Sequence, residues 1–253
     1  NSMNKQIYSN FAQLCVNELN LFQDKFKKDF DIDSYENWFY NQSTALLTFS
    51  TGGKELNFKY LEVGTFSTTT QTWKWSWDNE HTLYSVKQGI HSVKEFGEKV
   101  NYCKLTNGYF ESNEVEAWEF TAITAKLVNG IGVYRTVSDN LLIFMVLLEY
   151  IDPLEANNIT DRYVQCGEHD YKRRAFVCRH LNTETKVGFE ESFETYENMD
   201  LQDDDDLQAW CNECEHVRFR EGEWNHISMK FAQIKVVCED CYFEMKELNL
   251  GHK

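Results

Sequence analysis

Four short cysteine and histidine pairs constrain the last third of this chain more tightly than any other feature. They are Cys166-x-x-His169, Cys178-x-His180, Cys211-x-x-Cys214 and Cys238-x-x-Cys241. Each pair can bring two soft donors to one ion. Eight such donors divide into two closed four-coordinate sites, the arrangement that structural zinc takes. Thiolate and neutral imidazole suit zinc better than calcium or magnesium. The preferred pairing is sequential: Cys211, Cys214, Cys238 and Cys241 on one ion, and Cys166, His169, Cys178 and His180 on the other. A cross-braced pairing is the alternative. Cys178 and His180 stand two apart in a strand-like run, so they point to one side together.

With four protein ligands each, neither site keeps the open position that a catalytic zinc needs. The H-E-x-x-H and deaminase patterns are absent, and so are the glycine-rich phosphate loops. The chain is therefore expected not to be an enzyme.

The formal net charge of −16 disfavours nucleic acid and anionic membranes and favours a basic protein partner. The acidity is uneven: residues 151–253 carry a net of −11 and residues 1–150 a net of −5. Ten carboxylates fall in Glu184–Asp206 against Lys186 alone. A solvated loop is the ordinary reading of such a run. The sharper one is a partner-binding surface made of Glu190, Glu191, Phe193, Glu194, Tyr196, Asp203, Asp204, Asp205 and Asp206. Phe189 and Met199 are interleaved with these acids as further anchors. Lys172-Arg173-Arg174 is expected to pair with neighbouring carboxylates.

The rest of the chain reads as an α+β domain, residues 3–153, followed by a zinc-binding domain, residues 160–250, with the acidic run inserted. Lys5–Phe30 has apolar residues three or four apart, predicting an amphipathic helix. Trp38–Tyr40, Ala45–Ser50, Leu56–Phe66 and Thr70–Asp78 read as strands, with a hairpin turn at Thr51-Gly52-Gly53. Leu83–Val100 and Glu114–Val128 read as helices, the second capped by Ser112 or Asn113. Gly132–Val137 and Leu141–Tyr150 close an antiparallel sheet packed by about three helices. Alternation places Trp73, Trp75 and Trp77 on one face of their strand. They form either core or a stacking platform for a ligand. The platform, with His81, His91, Glu116 or Glu119 beside it, would make the chain a small-ligand binder or an enzyme. Cys15 and Cys103 read as buried inert thiols.

No run is long and apolar enough to span a bilayer, and no signal peptide is legible. Eight cysteines in that setting suit a reducing compartment, so the cytoplasm is the expected location. Asn1–Ser2 ahead of Met3 read as a tag remnant.

The residues LEVGTF (Leu61–Phe66), TWKWSWD (Thr72–Asp78) and GVYRT (Gly132–Thr136) resemble an uncharacterised bacterial domain family with a T-W-x-W-x-W strand. The resemblance spans Phe30–Ile151 and implies a fold only. In the C-terminal part, Phe176–Leu181 and Gln208–Glu215 resemble bacterial zinc-ribbon-like proteins of unknown function. A knuckle, a hairpin (Val217–Phe219 and Ile227–Val237) and a helix carrying the last ligands resemble a treble-clef finger. The functional expectation is an acidic immunity or inhibitor protein that neutralises a basic toxin or nuclease by occluding its active site. A zinc-finger adaptor is a third reading.

Overall fold

The computed structural model describes residues 2–78, 84–201 and 205–251. The chain divides into two compact units, Asn1–Ala156 and Asn157–Lys253.

The first unit opens with α1 (Ser2–Asp29), whose inward stripe buries Tyr8, Ala12, Cys15 and Phe26. Four strands follow: β1 (Asn37–Asn41), β2 (Leu46–Thr51), β3 (Lys54–Ser67) and β4 (Thr72–Trp75). Gly52 and Gly53 join β2 to β3 with φ of 51° and 90°, values that glycine adopts without steric cost. Then come α2 (Tyr84–Gly89), α3 (His91–Val100), β5 (Tyr109–Glu111) and α4 (Glu114–Leu127). Asn113 caps α4, its side chain accepting the Glu116 amide at 3.0 Å. β6 (Gly132–Arg135) and β7 (Leu141–Ile151) follow, and the division between the units falls within α5 (Pro153–Asp161), between the two domains read from the sequence. The helix predicted over Leu83–Val100 breaks at Gly89–Ile90. A side chain at Gly89 would press on Leu61, and Ile90 is fully buried.

The sheet is organised on β3. Its two halves pair β2 and β4 in turn, and β7 pairs it on the other side from Asn57 to Ser67. One apolar cluster gathers Leu61, Val63, Trp73, Trp75, Phe120 and Phe144 with α1, α3 and α4. A second gathers Leu47, Phe49, Phe58, Tyr60, Met145 and Leu147 around Phe26 of α1. In the path β1-β2-β3-β7-β6 the end strands approach each other: the Trp38 and Tyr134 rings lie 5.5 Å apart. That part of the sheet is therefore curled about its own aromatic core.

The tryptophan strand is core. Trp73 and Trp75 have no exposed surface and pack edge-on to each other and against Phe120. The strand ends at Trp75 and Ser76–Asp78 form a 3₁₀ turn, so Trp77 leaves the row and lies half-buried beneath the Lys94 ammonium at 4.7 Å. The indole of Trp73 fills the space a side chain at Gly64 would occupy.

The second unit is built on one strand. β8 (Tyr163–Cys166) and β9 (Asp170–Val177) form a hairpin. The short β10 (Glu190–Glu191) pairs β11 (Leu207–Trp210), which leads into α6 (Asn212–Glu221) and α7 (His226–Ala232). Finally β12 (Lys235–Cys238) leads into α8 (Glu239–Leu250). β11 lies parallel to β9, with Ala209 beside Val177, and β12 lies antiparallel, with Cys238 beside Arg174. The core holds Ala175, Val177, Leu207, Ala209, Tyr242 and Met245. The hairpin expected over Val217–Phe219 and Ile227–Val237 is replaced by the helix pair α6–α7, with only the last residues in strand β12. Asn225 caps α7 in a reciprocal capping box with Ser228, which fixes a helix start where a strand was expected. No described helix is long and apolar enough to cross a membrane.

Candidate metal centres

The eight expected ligands gather into two groups of four. Cys166, His169, Cys238 and Cys241 form one, and Cys178, His180, Cys211 and Cys214 the other. Within each group the donor atoms all lie within 4.8 Å of one another. Each group offers three thiols and one imidazole and could hold a metal ion.

The pairing is nested, first pair with last and second with third, and this corrects both the sequential and the cross-braced expectations. The reason is β9. Its eight residues separate His169 from Cys178 by roughly 25–30 Å at about 3.3 Å per residue, so neighbouring pairs cannot share an ion. β11 runs parallel to β9 and delivers Cys211 to the Cys178 end. β12 runs antiparallel and delivers Cys238 toward the Cys166 end. An all-cysteine site would need both knuckles at one end of the sheet.

Both C-x-x-C knuckles are built alike. A strand ends, its last or next residue is a cysteine at the N-cap position of a helix, and the second cysteine sits in the first turn. The Cys238 thiol accepts the Cys241 amide at 3.4 Å, as a helix cap does. Thiolates are favoured there by the exposed N–H groups and the helix dipole. The tryptophan and glutamate flanking the first knuckle interact: Trp210 Nε1 donates to Glu215 at 2.6 Å, and Arg218 holds the same carboxylate.

In the outer centre, His169 Nδ1 lies 3.4 Å from Cys238 Sγ, 3.4 Å from Cys241 Sγ and 3.7 Å from Cys166 Sγ. Its Nε2 faces Glu244 at 3.1 Å. That carboxylate, one helical turn beyond Cys241, orients the ring and makes it a better donor. The sequence reading did not single Glu244 out, although its i+3 spacing from Cys241 was the available signal. In the inner centre, His180 Nδ1 lies 3.3 Å from Cys214 Sγ and 3.5 Å from Cys211 Sγ. The Cys211 amide donates to Cys178 Sγ at 3.3 Å. Cys178, Cys211 and Cys214 are buried, whereas Cys166 and Cys241 are partly open to solvent.

Burial pushes the thiols of Cys211, Cys214, Cys238 and Cys241 upward, and for Cys214 and Cys241 the neighbouring sulfurs add to it. Cys166 differs: the amides of Glu168 and His169 draw it down to about 6. Burial, with the Arg179 guanidinium beside it, lowers His180 and so favours the neutral ring, the form a metal requires. A cation at the centre of each group would let the crowded thiols ionise together.

The acidic segment divides. Glu191 does not face outward: its carboxylate takes the Lys246 ammonium at 2.8 Å, the Thr195 hydroxyl at 2.7 Å and the Tyr242 hydroxyl at 3.1 Å. Burial raises it, but these partners outweigh burial and it falls below the usual carboxylate range. Phe189 is buried in the core. Asp206 pairs with Arg174 at 3.4 Å, Lys172 pairs with Asp240 at 3.0 Å, and Arg173 donates to the Asp205 carbonyl. Glu190, Glu194 and Tyr196 are exposed and Phe193 is half-buried. Asp203 and Asp204 lie outside the described residues.

Elsewhere, His91 pairs with Glu95 at 3.4 Å, Glu116 with Lys104 at 2.5 Å, and Glu119 accepts the Tyr8 hydroxyl. His81 lies outside the described residues. Cys15 is buried, as expected, but Cys103 is exposed.

Residues 9–149 match the family model described as a family of unknown function, DUF6882. No curated protein matches the chain, and no solved structure does. The match begins within α1, earlier than the resemblance read from the tryptophan strand, and runs to β7. It covers more than half of the chain, which thus belongs to the DUF6882 family and carries a metal-binding candidate unit beyond it.

Proposed function

We propose that this is a non-enzymatic, cytoplasmic protein-binding protein of the immunity type, which neutralises a basic toxin or nuclease by occluding its cationic cleft. Two structural zinc ions hold its C-terminal unit. Three thiolates and one imidazole are a common zinc donor set, and four protein donors leave no place for a reactive water.

The observation that carries the reading is the segment that begins at β10. Glu190, Glu194, Glu197 and Asp200 are exposed there with Tyr196, which is 65 % exposed. Beneath them, Glu191 and Lys246 tie the segment to α8. Exposed carboxylates around an aromatic anchor, on a base already ordered, suit a cationic partner.

The test is recovery of partners from the native host with the zinc-loaded protein and with a Glu190→Gln, Glu194→Gln, Tyr196→Ala variant. One basic protein recovered stoichiometrically by the parent, and lost with the variant, supports the proposal. Equal recovery by both, or none by the parent, overturns it. The alternative of a ligand platform on the tryptophan strand has no observation in its favour, since Trp73 and Trp75 have no exposed surface.

A further inference from the structure

The curled part of the first unit changes character along β3. Phe58, Tyr60 and Glu62 alternate onto one face of that strand. Phe58 lies in the floor, in edge contact with Phe26, Phe30 and Phe49. Tyr60 follows, its ring set edge-on to Tyr40 at 6.2 Å. Glu62 stands beyond them, half-buried, opposite the fully buried Met145. The aromatic interior thus ends in a carboxylate.

The backbone is irregular at this point and nowhere else along the β3–β7 pairing. The register slips between Lys59 and Tyr60 and again between Glu62 and Gly64. On the other edge, β2 stops at Lys59 and β4 begins at Gly64. Between them the β1–β2 turn closes over β3. The Tyr60 amide donates to the Ala45 carbonyl at 2.9 Å, and Gln42 Nε2 donates to Glu62 Oε2 at 3.1 Å. Paired bulges of this kind re-aim side chains and gather at functional sites. The mouth of a curled or closed sheet is a favoured place for a ligand.

Three other half-buried carboxylates have cationic partners: Glu191 has Lys246, Asp206 has Arg174 and Glu116 has Lys104. Glu62 has the neutral amide of Gln42, and among the side chains described no ion pair to it is found. Burial accordingly raises Glu62 above the usual carboxylate range, and its charge in turn helps to raise Tyr40 and Tyr60. A carboxylate sheltered without a counter-charge, beside two electron-rich rings, has the chemistry of a receptor for a positive organic group.

We propose that Tyr40, Gln42, Tyr60 and Glu62 form a binding site for an organic cation, an ammonium or guanidinium group. Glu62 supplies the counter-charge, the half-buried Tyr40 supplies the ring face, the buried Tyr60 backs that ring, and Gln42 holds the carboxylate in place. The site is independent of the metal centres and of the acidic segment.

The test titrates the intact, metal-loaded protein with N-acetylated arginine amide, N-acetylated citrulline amide as its neutral isostere, tetramethylammonium and the N-acetylated, C-amidated peptide Gly-Arg-Gly. Binding is read by calorimetry and by the carbon-13 shift of the Glu62 carboxyl. Expected are binding of at least one cation, none of citrulline amide, and at least tenfold weaker binding by Glu62→Gln. In the parent protein, the bound cation shifts the Glu62 titration to lower pH, a readout that needs no variant to fold. Binding of a free cation identifies a small-molecule site, and binding of the peptide alone identifies a partner's side chain. No binding of any cation, equal binding of citrulline amide, or an unmoved Glu62 titration overturns the proposal.

Discussion

The backbone amide of Cys211 donates to the thiol of Cys178, so the parallel pairing of β11 with β9 continues directly into the inner metal centre. The sheet and the donor set are one construction, and the pairing of ligands can be tested through it.

Nesting predicts a distinctive pattern of metal loss. A Cys178→Ser, Cys211→Ser double variant removes two donors from one centre and should keep one ion per chain. A Cys211→Ser, Cys238→Ser variant removes one donor from each and should lose or weaken both. Metal content of the purified variants decides. Under a sequential pairing these two outcomes would be exchanged.

Glu244 acts on the outer centre only. Glu244→Gln removes the charge that orients His169 and should weaken one of the two ions by roughly tenfold. Competition with a chelator would show one ion released early and the other unchanged. Equal release of both would refute the assigned role.

The Glu191–Lys246 pair makes the second unit sensitive to acid. Glu191 titrates below its unfolded value, so its contribution is complete above the unfolded carboxylate pKa and is lost as pH falls through the folded one. Glu191→Gln should flatten that acid limb. Lys246→Met leaves the carboxylate sheltered without its cation and should cost about 2–3 kcal/mol at neutral pH. Urea unfolding at several pH values, with metal saturating, measures both.

Gly64→Ala should destabilise the first unit by about 1–3 kcal/mol, because the new methyl would meet the Trp73 ring at 2.5 Å and the Lys74 carbonyl at 2.6 Å. Metal content should stay at the parent value. A variant as stable as the parent in urea would show that the tryptophan core yields.

Much of the first unit was legible because its signals are local. The stripe of α1, the Asn113 cap, the Gly52-Gly53 turn and the β-branched runs each act within a few residues. The exception, Trp77, shows what locality misses: alternation extends the strand, but Ser76–Asp78 coil away from it. In the second unit every ligand was identifiable by residue type, and their partition was not. Partition depends on whether β11 and β12 run with or against β9, a property of chain topology that spacing does not encode. Glu191 was misread for a related reason. In a run of acids nothing local distinguishes the one carboxylate that meets Lys246, 55 positions further on.

The nested arrangement makes the two closures unequal in entropy. The outer centre joins His169 to Cys238, 69 positions apart, and the inner joins His180 to Cys211, 31 apart, within that span. Once the inner ring is shut, the free contour left for the outer ring is nearly halved. Since each doubling of a loop costs about 0.6 kcal/mol, inner closure lowers the outer cost by about 0.5 kcal/mol. With a metal at each centre, closing the inner ring first would thus lessen the entropic cost of closing the outer one, the ring whose sulfurs are more open to solvent.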